Sequence, residues 1–256
     1  MHIETFCALM DAIAPPALAW EGDKIGLLVG TEKEEIKKVL VALDCTPNVI
    51  AEAVEKGVDL ILTHHPSIHD PLTRLSPKDP KSAVPYLLAR HGIAHFAAHT
   101  NLDAAQGGVN DCLAACLGLE NIRVLPPENL GRVGTLPKPM PLSDFLELSC
   151  ERLNVVPRYT GELQSIIRTI ALVGGGGACD LPYAAAAGAD ILLTGDAKHS
   201  DALLARALGI ALAACGHYET ESVVLKPLIA RLQTAENDIE YILSENERAV
   251  MRSFAQ

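Results

Sequence analysis

The 256-residue chain is 49% hydrophobic and 21% charged, with a mean hydropathy of +0.20; this is enough apolar material for one large α/β domain or two similar units, and too much for a disordered chain. A net charge of −11 and a pI near 5.2, with no window dense in Lys or Arg, exclude a basic nucleic-acid groove. Seven scattered cysteines without a CxxC pair read as reduced thiols of a cytoplasmic protein; the acidic MHIETFCALMDAIAPP start does not read as a signal peptide, and Asp59 and Asp190 interrupt the best apolar runs, so no membrane association is expected.

In chain order, KKVLVALDCTP (37–47) predicts a strand, NVIAEAVEKG (48–57) a helix and VDLILTHH (58–65) a buried strand. The Pro-rich, charged stretch 65–83 predicts a loop, AVPYLLARHG (83–92) a helix and IAHFAAH (93–99) another strand. Continuous apolar strands separated by helices predict a parallel sheet covered on both faces. Prolines 126, 127, 137, 139 and 141 break up 124–145 and place a boundary there. This gives a first α/β lobe over 1–125 and a second over 126–256, with the last helix a candidate to pack back on the first. A helix follows over 141–154, with Ser143 as its expected cap. Then come a strand running into GGGG (165–177), a helix–Gly–strand unit (182–196), and a third unit of helix, Gly, strand and helix start (201–221). AVEKGVDLILTHH lies over AAAAGADILLTGD with Ala, Gly, Asp, Leu and Thr in register, and GIAHFA resembles GIALAA. The expected architecture is two related α/β lobes with mostly parallel sheets, facing each other across a metal-binding cleft.

Ligands of parallel α/β sheets bind beyond the carboxyl ends of the strands. Those ends carry LILTHHP, HTNLDA (99–104), TGDAKH (194–199) and CGHYETE (215–221), a set rich in His, Asp and Glu and poor in thiolate. That chemistry suits a hydrolytic divalent metal site. A helix starting at Gly216 would put His217 and Glu221 on one face. His64, His65, Asp103, His217 and Glu221 make three imidazoles and two carboxylates. This is too many for one tetrahedral zinc and suits two divalent ions, whether Zn, Mn or Fe. His64 and His65 are expected to project to different sides. His99 is expected behind the ligands, orienting Asp103 or closing the site. Asp196, Lys198 and His199 are divided between substrate contact and helix capping. His2, His69, His91 and His95 read as surface or capping histidines. The GGGG run lacks the Lys-Ser/Thr of a phosphate loop and reads as a tight turn at the metal crevice.

VLVALDCTP, DLILTHHP, AAHTNLDAAQGGVND, GRVGTLP, GADILLTGD and GHYETES follow one another in an order that closely resembles the Nif-three-like family of dinuclear metal-centre proteins, whose members are called GTP cyclohydrolase I type 2 homologues. The resemblance covers nearly the whole chain. It implies metal ligation by His64, His65, Asp103, His217 and Glu221, two α/β lobes, and assembly into a homohexameric ring without the long domain some members carry mid-chain. Two places depart from the family pattern: Ser200 stands where a His is usual, and Trp20 is followed by EGDKIGL rather than DNVGL.

The expected function is a divalent-metal-dependent hydrolase, GTP cyclohydrolase-like, acting on a nucleotide or other small anion drawn to a local charge of about +2 at the metals. The alternative is a non-catalytic metal-binding, metal-delivery or oligomeric scaffold protein.

Overall fold

In a computed structural model, residues 1–251 of the chain are described. From the N-terminus the elements are α1 (Ile3–Ile13), β1 (Gly26–Val29), β2 (Lys38–Ala42), α2 (Pro47–Glu55), β3 (Leu60–Thr63), α3 (Ala83–His91), β4 (Ala94–Ala97) and the short α4 (Thr100–Ala104). After them come α5 (Val109–Cys116), β5 (Glu120–Val124), β6 (Arg132–Pro141), α6 (Leu142–Leu153), β7 (Arg158–Thr160), β8 (Ile166–Val173), α7 (Leu181–Ala186), β9 (Ile191–Thr194), α8 (His199–Leu208), β10 (Ala211–Ala214) and α9 (His217–Glu221). The chain continues through α10 (Leu225–Ala235) and β11 (Glu240–Leu243).

Two compact units result, one of Met1–Gln106 with Leu225–Arg248, the other containing Gly107–Val224. The first holds a five-stranded sheet in the order β1-β4-β3-β2-β11, parallel except where β1 runs against β4. The second holds a six-stranded sheet, β5-β6-β8-β9-β10-β7, whose β8-β9-β10 centre is parallel and whose flanking strands are antiparallel. Both are α/β, as the alternation of apolar runs and helices predicts.

The same plan appears in each lobe. β2-α2-β3-α3-β4 and β8-α7-β9-α8-β10 both lay three consecutive strands side by side. Leu60–Thr63 and Ile191–Thr194, the segments that align in sequence, are the central strand of each triplet. The residue before each strand does the same work: Asp59 accepts the N–H groups of Lys37 and Lys38 at the start of β2, and Asp190 those of Arg168 and Thr169 near the start of β8. Gly57 carries the chain from α2 towards β3 at a φ of 64°, which costs a Cβ-free residue nothing.

Alternate residues of the central strands face opposite layers. In the first lobe Leu40, Ala42 and Ile61 pack with Val49, Ile50 and Ala53 of α2 and Leu88 of α3. Phe96 of β4 meets Phe6 of α1 edge to face, with ring centroids 5.9 Å apart. In the second, Ile170, Leu172, Ile191 and Leu193 pack with Leu142, Phe145 and Leu146 of α6, while Ala171, Val173 and Leu192 face Leu181, Ala184 and Ala205. Sheets covered on both faces explain why these strands read as continuous apolar runs.

Three local expectations need correction. The Pro-rich stretch is not a break: Arg132–Pro141 is a long strand. Its pairing with β5 ends at Thr135, and its register with β8 shifts between Thr135 and Met140, so the prolines lie where ladder bonds are already missing. The compact units accordingly divide after Gln106 rather than near 125, because β5 pairs with β6 of the second sheet. Ser143 lies inside α6 and its hydroxyl bonds Asp144; Pro141 takes the cap position. Among the described residues no helix is long and apolar enough to cross a membrane.

Candidate metal centre

β3 ends at Thr63, and the next peptide still extends the ladder, His65 N–H donating to the Leu43 carbonyl at 2.9 Å. The two imidazoles beyond that end are each fixed through Nδ1. His64 Nδ1 bonds the Ala98 carbonyl at 2.8 Å, and His65 Nδ1 bonds Asp44 at 2.9 Å. His99, just past β4, bonds Asp23 through Nδ1 at 2.8 Å. Carbonyl and carboxylate oxygens only accept, so each Nδ1 carries a proton, and the neutral form of each ring has its lone pair at Nε2. The rings lie together, with centroids 4.9 Å apart for His64 and His65, 5.2 Å for His64 and His99, and 5.6 Å for His65 and His99. One ligating nitrogen from each comes within 4.8 Å of the others. Asp103, in α4, brings a carboxylate oxygen 3.6 Å from His64 Nε2.

Two expectations change here. His64 and His65 do not diverge; both leave the strand in a bend that turns their rings towards His99. His99 itself stands among the potential ligands rather than behind them. Sequence reasoning passed over Asp23 and Asp44, although both lie in stretches singled out for other reasons, EGDKIGL and ALDCTP. Burial alone would raise the Asp23 carboxyl, but hydrogen bonds from Thr100 and His99 outweigh it and hold Asp23 at about 2. Burial, aided by neighbouring His64, lowers the His99 pKa and favours the neutral, ligating ring.

In the second lobe α9 starts at Gly216 and places His217 and Glu221 on one face, Nε2 to Oε1 3.3 Å. His217 Nδ1 is taken by Asp196 at 2.7 Å. The Glu221 hydrogen bond, only partly opposed by burial and reinforced by Asp196, raises His217 to about 9. A proton thus sits between imidazole and carboxylate, where a metal cation would compete for the same two atoms. The glycine run turns tightly against this pair. A Cβ on Gly175, whose φ is 63°, would fall 2.1 Å from Glu221 Oε1 and 3.1 Å from His217 Nε2. Asn110 holds the turn by accepting Gly174 N–H at 2.8 Å while donating to the Leu130 carbonyl.

The remaining candidates separate cleanly. Asp196 orients an imidazole. Lys198 caps α8, its N–H bonding Asp201, and His199 is the first residue of that helix; both side chains are exposed. His95, expected at the surface, is fully buried in β4. The first-lobe set alone, three imidazole nitrogens and a carboxylate oxygen, has the donors that a first-row divalent ion takes, so these residues fit a metal.

The family model for Duf34/NIF3 (NGG1p interacting factor 3) matches residues 1–249. The chain belongs to the NIF3 family. Among NIF3 relatives, a Clostridium perfringens protein called GTP cyclohydrolase 1 type 2 homolog is 32% identical over 256 residues, spanning 97% of this chain and 98% of that one. A Lactococcus lactis protein with the same name is 39% identical over 226 residues, 85% of this chain and 86% of its own. The NIF3 fold is shared with the crystal structure of Staphylococcus aureus protein SA1388, with a TM-score of 0.91, 31% identity and 99% of each chain covered.

Proposed function

We propose that this chain is a divalent-metal-dependent hydrolase whose ions are held by His64, His65, Asp103, His217 and Glu221, with His99 as a further ligand. The observation that carries this reading is the common latching of four imidazoles through Nδ1, by Ala98, Asp44, Asp23 and Asp196. Rings fixed in this way have their tautomer and direction set before any ion arrives. Bound divalent ions would supply Lewis acidity, lowering the pKa of water and stabilising negative charge on a substrate.

The protein's own groups supply the rest. Asp44, Asp23 and Asp196 keep the protons on Nδ1. Asp103 and Glu221 bring anionic oxygen donors, and Gly175 leaves the space in which the His217–Glu221 pair sits. Two residues beyond His65, the loop from Ser67 to Ser82 lines a partly open cavity of about 460 Å³. Arg74 and Lys81 on its wall are matched by Asp79 and Asp70, so the attraction for an anion comes from the bound cations rather than from the wall. GTP, the compound in the relatives' names, belongs to the class of small anions this arrangement would admit. The protein's acidity disfavours nucleic acid as the substrate. A cytoplasmic location and a homohexameric ring complete the proposal.

The test is turnover of a panel of nucleotides and phosphoesters by metal-loaded protein, beside His65→Ala. Turnover that disappears with His65 supports the hydrolase. No turnover, with metal passing readily to an apo-acceptor, supports the metal-delivery alternative.

A further inference from the structure

His95 is fully buried, yet both its ring nitrogens are engaged by hydroxyl groups. Nε2 is 2.7 Å from Thr63 Oγ1, and Nδ1 is 2.8 Å from Ser67 Oγ. The proton positions follow from counting. Thr63 has one hydroxyl hydrogen and donates it to the His65 carbonyl at 2.7 Å, since a carbonyl can only accept. Thr63 Oγ1 must therefore accept from His95, which puts a proton on Nε2. Both groups facing the ring are hydroxyls, so no carboxylate there compensates a second proton. The ring is then neutral, and Nδ1 accepts from the Ser67 hydroxyl. The chain of bonds runs Ser67 to His95 to Thr63 to the His65 carbonyl, and it closes around His64, His65 and Pro66.

Each hydroxyl hydrogen and each ring nitrogen in this chain makes one bond, and each end serves the site differently. One end fixes the backbone that carries His64 and His65. The other fixes Ser67, which lines the 460 Å³ cavity. A loop of prolines and charges would otherwise leave that turn to find its own conformation, at a cost in entropy on each binding event.

We propose that His95, as the neutral Nε2–H tautomer, is a positioning residue that ties the His64–His65 ligand pair to the wall of the adjacent cavity. The proposal rests on the metal-binding reading above. It predicts that removing the ring's donor and acceptor loosens the ligands without touching them.

The experiment compares wild type, His95→Phe, His95→Gln and Ser67→Ala by Zn²⁺ and Mn²⁺ competition titration, with thermal melts to establish folding. His95→Phe keeps the volume and loses both bonds, and its metal affinity is expected to fall roughly 10–100-fold. His95→Gln keeps a donor for Thr63 and should recover most of that loss, while Ser67→Ala should cost less than His95→Phe. In parallel, ¹⁵N NMR of the metal-free wild type reads the tautomer directly. A slowly exchanging proton on Nε2 beside an unprotonated Nδ1 supports the hydrogen-bond chain on which the proposal stands, whether or not metal binds. A folded His95→Phe with wild-type affinity overturns it, as does an Nδ1–H ring or an imidazolium at neutral pH. Wild type that binds neither ion overturns the metal-centre reading itself, and with it the role of His95 towards that centre.

Discussion

The Asp44 carboxylate stands 2.9 Å from His65 Nδ1, and the proton between them decides which nitrogen of that ring can meet a metal. The Asp44 side chain is 41% exposed, so its loss should separate affinity from stability. Asp44→Ala is expected to weaken metal binding roughly 10–100-fold while shifting the melting temperature little. Competition titration beside a thermal melt checks both. An unchanged affinity would remove the carboxylate from any part in ligation.

Gly175 provides a steric test of the second lobe. Gly175→Ala would combine a φ of 63° with a Cβ 2.1 Å from Glu221 Oε1, whereas at neighbouring Gly176 a Cβ meets nothing within 4 Å. Gly175→Ala should cost about 1–3 kcal/mol and displace Glu221, reducing metal affinity. Gly176→Ala should leave affinity where it was. Equal behaviour of the two variants in denaturant and metal titrations would show that the turn does not constrain the pair.

Metal itself should stabilise the fold. An ion present at about 100 times its dissociation constant adds about 2.7 kcal/mol, so the melt should move up on addition of Zn²⁺ or Mn²⁺ and return with a chelator. Asp103→Ala should flatten this response. A melting temperature indifferent to both metal and chelator would contradict ligation by the folded state.

Glu52 gives the pH dependence. Its buried carboxylate accepts from Lys56, the N–H groups of Glu245 and Asn246, and the Ser244 hydroxyl. Burial alone would raise its pKa, but these donors, Lys56 foremost, hold it at about 2. A carboxyl depressed in the native state contributes stability above its ordinary value of 4.5, and that contribution is lost as pH falls from about 4.5 towards 2. Glu52→Gln should therefore cost about 3 kcal/mol at neutral pH and show a shallower acid limb. Urea unfolding at pH 7, 4 and 3 reads the difference; parallel curves for the two proteins would refute it.

Much of this was legible in the residues. Helix–Gly–strand units announce themselves through apolar runs and a positive-φ glycine. The ligand candidates fall at strand ends, where parallel sheets put them, and the spacing of His217 and Glu221 needs only a helix. What could not be read was whatever depends on a distant backbone. Asp23 meets His99 across 76 residues of sequence, and Asp44 meets His65 across 21. Neither pairing has a periodic signature. His95 was misread because a lone imidazole in a strand does not say which hydroxyls will face it. The strand over Arg132–Pro141 was hidden by its prolines, since the absence of ladder partners that makes them tolerable belongs to the sheet and not to the local sequence.

The return of β11 to the edge of the first sheet also bears on how the protein is made. β11 pairs with β2, Glu240 opposite Lys38, so the first sheet lacks a strand until synthesis has passed residue 243. All six strands of the second sheet lie within Gly107–Val224 and emerge in one stretch. In the nascent chain the second sheet is thus expected to become protease-resistant before the first, although the first sheet's other strands are made earlier.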